Sequence, residues 1–400
     1  MGANIHACDL KFFRCVTNIS FPLTLSPLAI SKKAFTKSIT TFPFILSIST
    51  MLDTRKRRRG ADDENEEEVE TEEKEHDTTL WDPTNGLAKL EKYFKTKRAI
   101  ELNSISPRRA FGSGSRSVRY ATNRTPKDGN GRAKRISVGT DTISFSPAYA
   151  PFDSQFPEEF KKDVLLFVHG YCNSFSDALQ TTAKVADQLQ WPGDAICFSW
   201  PSVGRYAGYF VDEASNGASV RLFAKYIKEL LTELASKGGK LHILAHSMGN
   251  RLVLAGLSYW VARQQDIPVE AIGQVLLVEA DEDRDTFLNT ILDVCALTSR
   301  VTVYCNPLDE ALKIMSTDIH GYPRAGDMTL EDAQALNNFL LQDGLQHLPQ
   351  IVVLEAGVVG RYEGHTYYVD VPKVGADMIQ VLQKGRSDNW NEKGNNVFLF

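Results

Sequence analysis

Ser247 lies in LHILAHSMGNRLVLAGL, where an apolar run gives way to a helical stripe of Leu252, Leu254, Ala255 and Leu257. A serine at such a strand-to-helix junction, with small residues two places before and after it, has the pattern of a nucleophile elbow. The sharp turn lifts the hydroxyl clear of the sheet and sets it beside the N-terminus of the next helix. The small residues here are Ala245 and Gly249, an alanine standing where the pattern has its first glycine. Acyl transfer at such a serine needs N–H donors preorganised for the developing oxyanion, each worth ~3–4 kcal/mol in the transition state. The backbone N–H of Met248, the next residue, is one candidate. The second comes from the loop after VLLFVHG (164–170), where Tyr171 is the first choice and Cys172 the alternative. His169, in the same turn, reads as structural.

These residues need a rigid frame, and from about residue 118 the pattern supplies one. VRYATNR (118–124) and TISFS (142–146) read as a leading strand pair. VLLFVHG, AICFSW (195–200), LHILAHS (241–247), QVLLVEA (274–280), VTVYCN (301–306) and IVVLEAG (351–357) are short continuous apolar runs, as expected of strands buried on both faces. Helical stripes separate them, one with Leu179, Ala183, Ala186 and Leu189, another from Val220 to Leu234 with a Gly238–Gly239 stop. Strand and helix alternating over this length predict an α/β protein with a doubly wound, mostly parallel sheet, whose chemistry collects at the carboxyl ends of the strands. Residues 201–219 exceed the usual strand-to-helix loop and carry Tyr206, Tyr209 and Phe210; the two readings are a lid or substrate wall, with Tyr206 and Tyr209 as substrate contacts, and ordinary surface packing of the aromatics.

VLLFVHGYCNSF, FSWPS, HILAHSMGNRL and VRYATNR together resemble the uncharacterised α/β-hydrolase family known as domain of unknown function nine hundred, over roughly residues 115–385. The resemblance implies the α/β-hydrolase fold and a Ser-His-Asp hydrolase whose substrate is open. In that fold the acid and then the histidine follow the serine in the chain. Asp309, after the second strand beyond the nucleophile strand, is the expected acid; Asp281 and Asp283 are rivals that could instead cap a helix near Asp285. His365 in EGHTYY, beyond the last core strand, is the expected base, with His320 in IHGYPRAG as its competitor. His246 is expected to point away from the elbow. The implied reaction is hydrolysis of a carboxylic ester, thioester or amide of a small-molecule acyl substrate; a silent hydrolase-fold binding protein is the alternative.

Composition narrows the remaining classes. Residues 1–61 carry ten Lys/Arg against two Asp/Glu, and residues 62–77 carry eleven acids against one Lys. The rest of the chain is near −3 and lacks the basic excess of a nucleic-acid binder. Residues 1–50, rich in Ser and Thr, have the composition of a plastid or mitochondrial transit peptide. A start at Met51 would instead leave the protein in the cytoplasm or nucleus. RKRRR (55–59) could be a nuclear address or a phosphate-binding patch, though a short charge run is more often solvated chain, and ADDENEEEVETEEKEHD cannot offset the entropy of ordering. The expected organisation is a disordered extension at 1–105, the hydrolase domain at 106–385 and a tail at 386–400. The six cysteines form no C-x-x-C pair, no metal or organic cofactor is called for, and FGSGSRS (111–117) lacks the context of a nucleotide loop. No apolar run approaches the ~20 residues that span a bilayer. Oligomeric state is not encoded in any feature of the chain.

Overall fold

All of the apolar runs singled out above form strands of one ten-stranded sheet in the computed structural model. The structure describes residues 83–103, 113–153, 155–264, 266–345, 347–359 and 364–400. A helix, α1 (Pro83–Asn103), precedes an antiparallel pair, β1 (Gly114–Thr125) and β2 (Gly131–Phe145). Then come β3 (Val164–Val168), α2 (Phe175–Gln188), β4 (Asp194–Ser199), α3 (Tyr209–Lys237), β5 (Leu241–His246), α4 (Gly249–Val261) and β6 (Ile272–Val278). The chain continues through α5 (Arg284–Leu297), β7 (Val301–Cys305), α6 (Glu310–Ile314), α7 (Leu330–Gln342), β8 (Gln350–Val353), α8 (Tyr367–Asp370) and α9 (Pro372–Lys384), ending in β9 (Asn391–Gly394) and β10 (Val397–Leu399). The strand order is β2-β1-β4-β3-β5-β6-β7-β8-β10-β9, parallel except for the antiparallel pair at each edge.

The central strands are apolar at every position because both of their faces are covered. Leu166, Ile243 and Leu277 turn towards α3, α4 and α5, which answer with Phe223, Ile227, Leu252 and Phe287. Their neighbours Phe167, Leu244 and Leu276 turn the other way, into a cluster with Val185 and Ala186 of α2 and Val374, Met378 and Val381 of α9. The period-2 alternation of side chains thus assigns each residue of an unbroken apolar run to one of two cores.

Three boundaries differ from the sequence reading. First, residues 83–103, placed by composition in the extension, are helical, and Leu90, Tyr93 and Lys97 are buried at helical spacing. The stripe mixes apolar with charged positions, so no hydrophobic period announced it. Residues 1–82, with the transit-peptide, RKRRR and acidic-tract readings, lie outside the described residues.

Second, the long loop expected at 201–219 ends at Gly208, and α3 begins at Tyr209, eleven residues ahead of the apolar stripe. After Tyr209 the early turns bury Asp212, Ser215, Asn216 and Ser219 instead of apolar residues. Hydrogen bonds make that burial tolerable, as with Asn216 Nδ2 donating to Met248 O (3.1 Å) and Asn123 Nδ2 to Ser219 Oγ (2.8 Å). Third, residues 386–400, expected as a tail, supply β9 and β10. Phe398 and Phe400 are buried, and the terminal residue is pinned by Phe400 N to Val353 O (3.1 Å) and Glu355 N to Phe400 O (2.9 Å).

Candidate active site

The elbow is built by backbone strain and close approach. Ser247 has φ of 52°, in the left-handed region that a residue with a side chain adopts only when its surroundings hold it there. Those surroundings are specific. A Cβ on Gly249 would lie 2.5 Å from Val168 O, and one on Gly170 would lie 2.9 Å from the Ser247 Cβ, so glycine is required at both. Ser247 N donates to Val278 O (3.0 Å), and Asn250 Nδ2 donates to both Ser247 O and Val278 O (2.9 Å each), tying β5 to β6 at the turn.

His365, carried by the segment between β8 and α8, places its Nε2 3.0 Å from Ser247 Oγ. Its Nδ1 lies 2.8 Å from Asp309 Oδ2. The other Asp309 oxygen accepts from the backbone N–H groups of Ala311 (2.9 Å) and Leu312 (3.1 Å) at the start of α6. Asp309 thus caps α6 with one oxygen and meets the histidine with the other. All three side chains are buried, and the contacts run in one line from Asp309 through His365 to Ser247.

The rival residues are engaged elsewhere. Asp283 caps α5, accepting from Asp285 N and Thr286 N. Asp281 is fully buried, and although burial alone raises its pKa, Arg251 and Arg324 outweigh that and hold it at about 2. His320 meets the Tyr209 hydroxyl (Nε2 at 3.0 Å) rather than Ser247, and burial with the nearby Arg324 lowers it to about 4. His246 points away from the serine, its Nε2 lying 2.9 Å from Glu279 Oε2 and 3.0 Å from His365 O. His169 is structural: its ring stacks on Trp200 (centroids 4.8 Å), and burial reinforced by Arg124 lowers it to about 3.

Around the serine, Met248 begins α4 at its positive end. In the loop after β3, Cys172 has φ of 58° and its N–H donates to Asp212 Oδ2 (2.9 Å), which leaves the Tyr171 N–H as that loop's candidate donor. Asp212 also accepts from Ser202 Oγ (2.5 Å) and Val203 N (2.6 Å), so one buried carboxylate joins the loops after β3 and β4. Arg124 reinforces the joint, donating to Ser202 O (2.8 Å) and Asn173 O (2.9 Å).

Tyr206 stacks on Phe94 of α1 at a centroid distance of 5.3 Å, and Phe94 meets the His365 ring edge-on at 6.0 Å and Tyr171 at 6.3 Å. Tyr209, expected beside Tyr206 as a substrate contact, is instead fully buried. Its hydroxyl donates to Asp281 (2.5 Å) and its ring supports Tyr171 from below at 5.1 Å.

Sequence reasoning passed over Phe94, Asp212, Arg124 and Glu279. Glu279 left one usable signal, a lone acid at the end of the apolar run QVLLVEA beside the nucleophile strand. Ligand atoms of His246, Glu279 and His365 lie within 4.8 Å of one another, residue types that bind metal ions. A cation on His365 Nδ1 would have to displace the Asp309 hydrogen bond, so the set reads as a hydrogen-bonded cluster.

A parallel sheet sandwiched by helices, with Ser, His and Asp meeting at the strand ends in that spatial order, defines the α/β-hydrolase class. Residues 148–384 match the family described as alpha/beta hydrolase of unknown function (DUF900), and the chain belongs to that family. No curated protein matches the chain. Among the described residues no helix is long and apolar enough to cross a membrane.

Proposed function

We propose that the protein is a serine hydrolase that cleaves a carboxylic ester, or a related thioester or amide, through an acyl-enzyme on Ser247. The observation behind this reading is the pair of contacts on one imidazole, 3.0 Å to Ser247 Oγ and 2.8 Å to Asp309. His365 takes the serine proton as Oγ attacks the acyl carbon, then gives it to the leaving group. Asp309 holds the Nδ1–H tautomer and stabilises the imidazolium. Water, deprotonated by the same histidine, releases the acid in the second half-reaction. The N–H groups of Met248 and Tyr171 receive the oxyanion. Phe94, Tyr171 and Tyr206 wall the space over His365 with aromatic surface, which favours an apolar acyl or alcohol group.

A fluorophosphonate probe should label the wild-type chain and not Ser247→Ala, and Ser247→Ala should lose turnover of a short p-nitrophenyl ester with unchanged far-UV circular dichroism. Labelling or turnover retained in Ser247→Ala would remove the nucleophile. An unlabelled wild type would favour a silent hydrolase-fold binding protein.

A further inference from the structure

Glu279 follows β6 directly, is fully buried and has φ of 50°, a third non-glycine residue held in the left-handed region within this site. Its Oε2 lies 2.9 Å from His246 Nε2 and 3.7 Å from His365 Nδ1, the nitrogen that faces Asp309. Among the described residues no donor reaches its Oε1 at hydrogen-bonding distance. One imidazole nitrogen therefore faces two carboxyl groups from adjacent strand ends, one at contact and one slightly too far.

We propose that Glu279 is a reserve acid for His365: it holds His246 while Asp309 occupies the histidine, and takes over His365 Nδ1 when Asp309 is removed. The inference rests on the reading of Ser247, His365 and Asp309 as the catalytic groups. The charged and titratable groups facing Glu279 are Asp309 after β7, Lys97 of α1, His246 of β5, His365, and Tyr367, Tyr368 and Asp370 of α8. Burial first and Asp309 second raise the Glu279 pKa well above the usual carboxylate range, so Glu279 ionises only at higher pH than an ordinary carboxylate. Removing Asp309 lifts one of those two causes, while the burial remains. The rescued activity therefore appears at higher pH than the wild-type activity. Closing 3.7 Å to hydrogen-bond length takes less than an ångström, within the reach of a glutamate rotamer adjustment, and no bond other than hydrogen bonds changes.

The test is a double-mutant cycle on Asp309→Ser and Glu279→Gln. Serine keeps an N-cap acceptor for α6 and frees the space beside Nδ1. Glu279→Gln alone retains an acceptor for His246 and should stay within about threefold of wild-type kcat. Asp309→Ser alone should lose ~10²-fold, with kcat rising towards alkaline pH. The double variant should lose ~10⁴-fold, the scale of an imidazole left without an acid, and lose that alkaline rise. Equal kcat values and pH profiles for the single and double variants overturn the proposal, as does a Glu279→Gln chain already down ~10²-fold. Asp309→Gly, which is also tolerated at an N-cap and leaves the same space open, repeats the cycle if the serine variant does not fold. Fluorophosphonate labelling of wild type lost in Ser247→Ala shows that the catalytic reading stands, so a flat cycle then removes the reserve acid alone.

Discussion

Replacing Asp212 should damage catalysis without touching any group that meets substrate. Its two oxygens accept three donors from two loops: Cys172 N–H and Ser202 Oγ on Oδ2, and Val203 N–H on Oδ1. In Asp212→Asn the amide NH2 must face one of these sets, so at least one buried backbone N–H loses its acceptor, at about 1–3 kcal/mol of stability. Asp212→Ala strands both N–H groups and costs about 2–6 kcal/mol by the same reckoning. The catalytic effect comes through Tyr171, whose N–H precedes the tethered Cys172. Complete loss of one oxyanion donor costs about 10²–10³ in kcat. A loosened loop should lose part of that, about 10- to 100-fold, with KM little changed because the oxyanion exists only in the transition state. The assay is p-nitrophenyl ester kinetics alongside urea unfolding of both variants. If Asp212→Ala is destabilised while its kcat stays within twofold of wild type, the tether does not set the oxyanion loop and the argument fails.

His365→Ala should lower kcat by several orders of magnitude and His320→Ala by less than tenfold, since only the former ring touches Ser247; steady-state kinetics decide, and equal losses would sink the base assignment. Deleting residues 1–82 should leave unfolding and turnover unchanged. Deleting 1–105 removes α1 with buried Leu90 and Tyr93 and the Phe94 wall, and should lower both the melting temperature and, about tenfold or more, kcat/KM. His169 is held at about 3 in the fold against an unfolded value near 6.5, so as pH falls below about 6.5 the unfolded chain gains a proton that the folded chain refuses. Wild type should therefore lose about 1.4 kcal/mol per pH unit relative to His169→Gln between pH 6 and 4 in denaturant titrations, and parallel curves would contradict a neutral buried His169.

How far the sequence spoke for this site depended on whether a residue's role was local. The meeting of Ser247, Asp309 and His365 could be anticipated because Ser247 directly follows a strand that announces itself as an apolar run, while Asp309 and His365 lie in the connections after two further such runs, where chain order limits the candidates. β3 to β8 were readable for the same reason. The first turns of α3 were not, because their buried face is Asp212, Ser215, Asn216 and Ser219, polar residues that a hydrophobic period cannot register. Their partners, Cys172, Met248 and Asn123, are tens of residues away, and no local pattern encodes such pairs. α1 failed in the same way, and β10 failed because three residues are too short a run to distinguish from a terminal apolar cluster.

The three left-handed residues explain why so much chemistry gathers on one edge. Cys172, Ser247 and Glu279 follow β3, β5 and β6, which are neighbours in the sheet. Each such conformation costs about 1–3 kcal/mol, a substantial sum against a total stability of about 5–15 kcal/mol. A chain keeps that strain only where the packing over-determines it, and here glycines let neighbouring backbones close in. Gly170 lies against Ser247, Gly249 against the end of β3, and a Cβ on Gly326 would lie 2.5 Å from the Glu279 carbonyl carbon. The turn at Ser247 raises its hydroxyl to His365. The turn at Cys172 ties its N–H to Asp212 and frees the one before it, and the turn at Glu279 swings a carboxyl under His246 and His365. The strained turns thus bring Ser247 and Glu279 to one imidazole and anchor the loop after β3 at the same end of neighbouring strands.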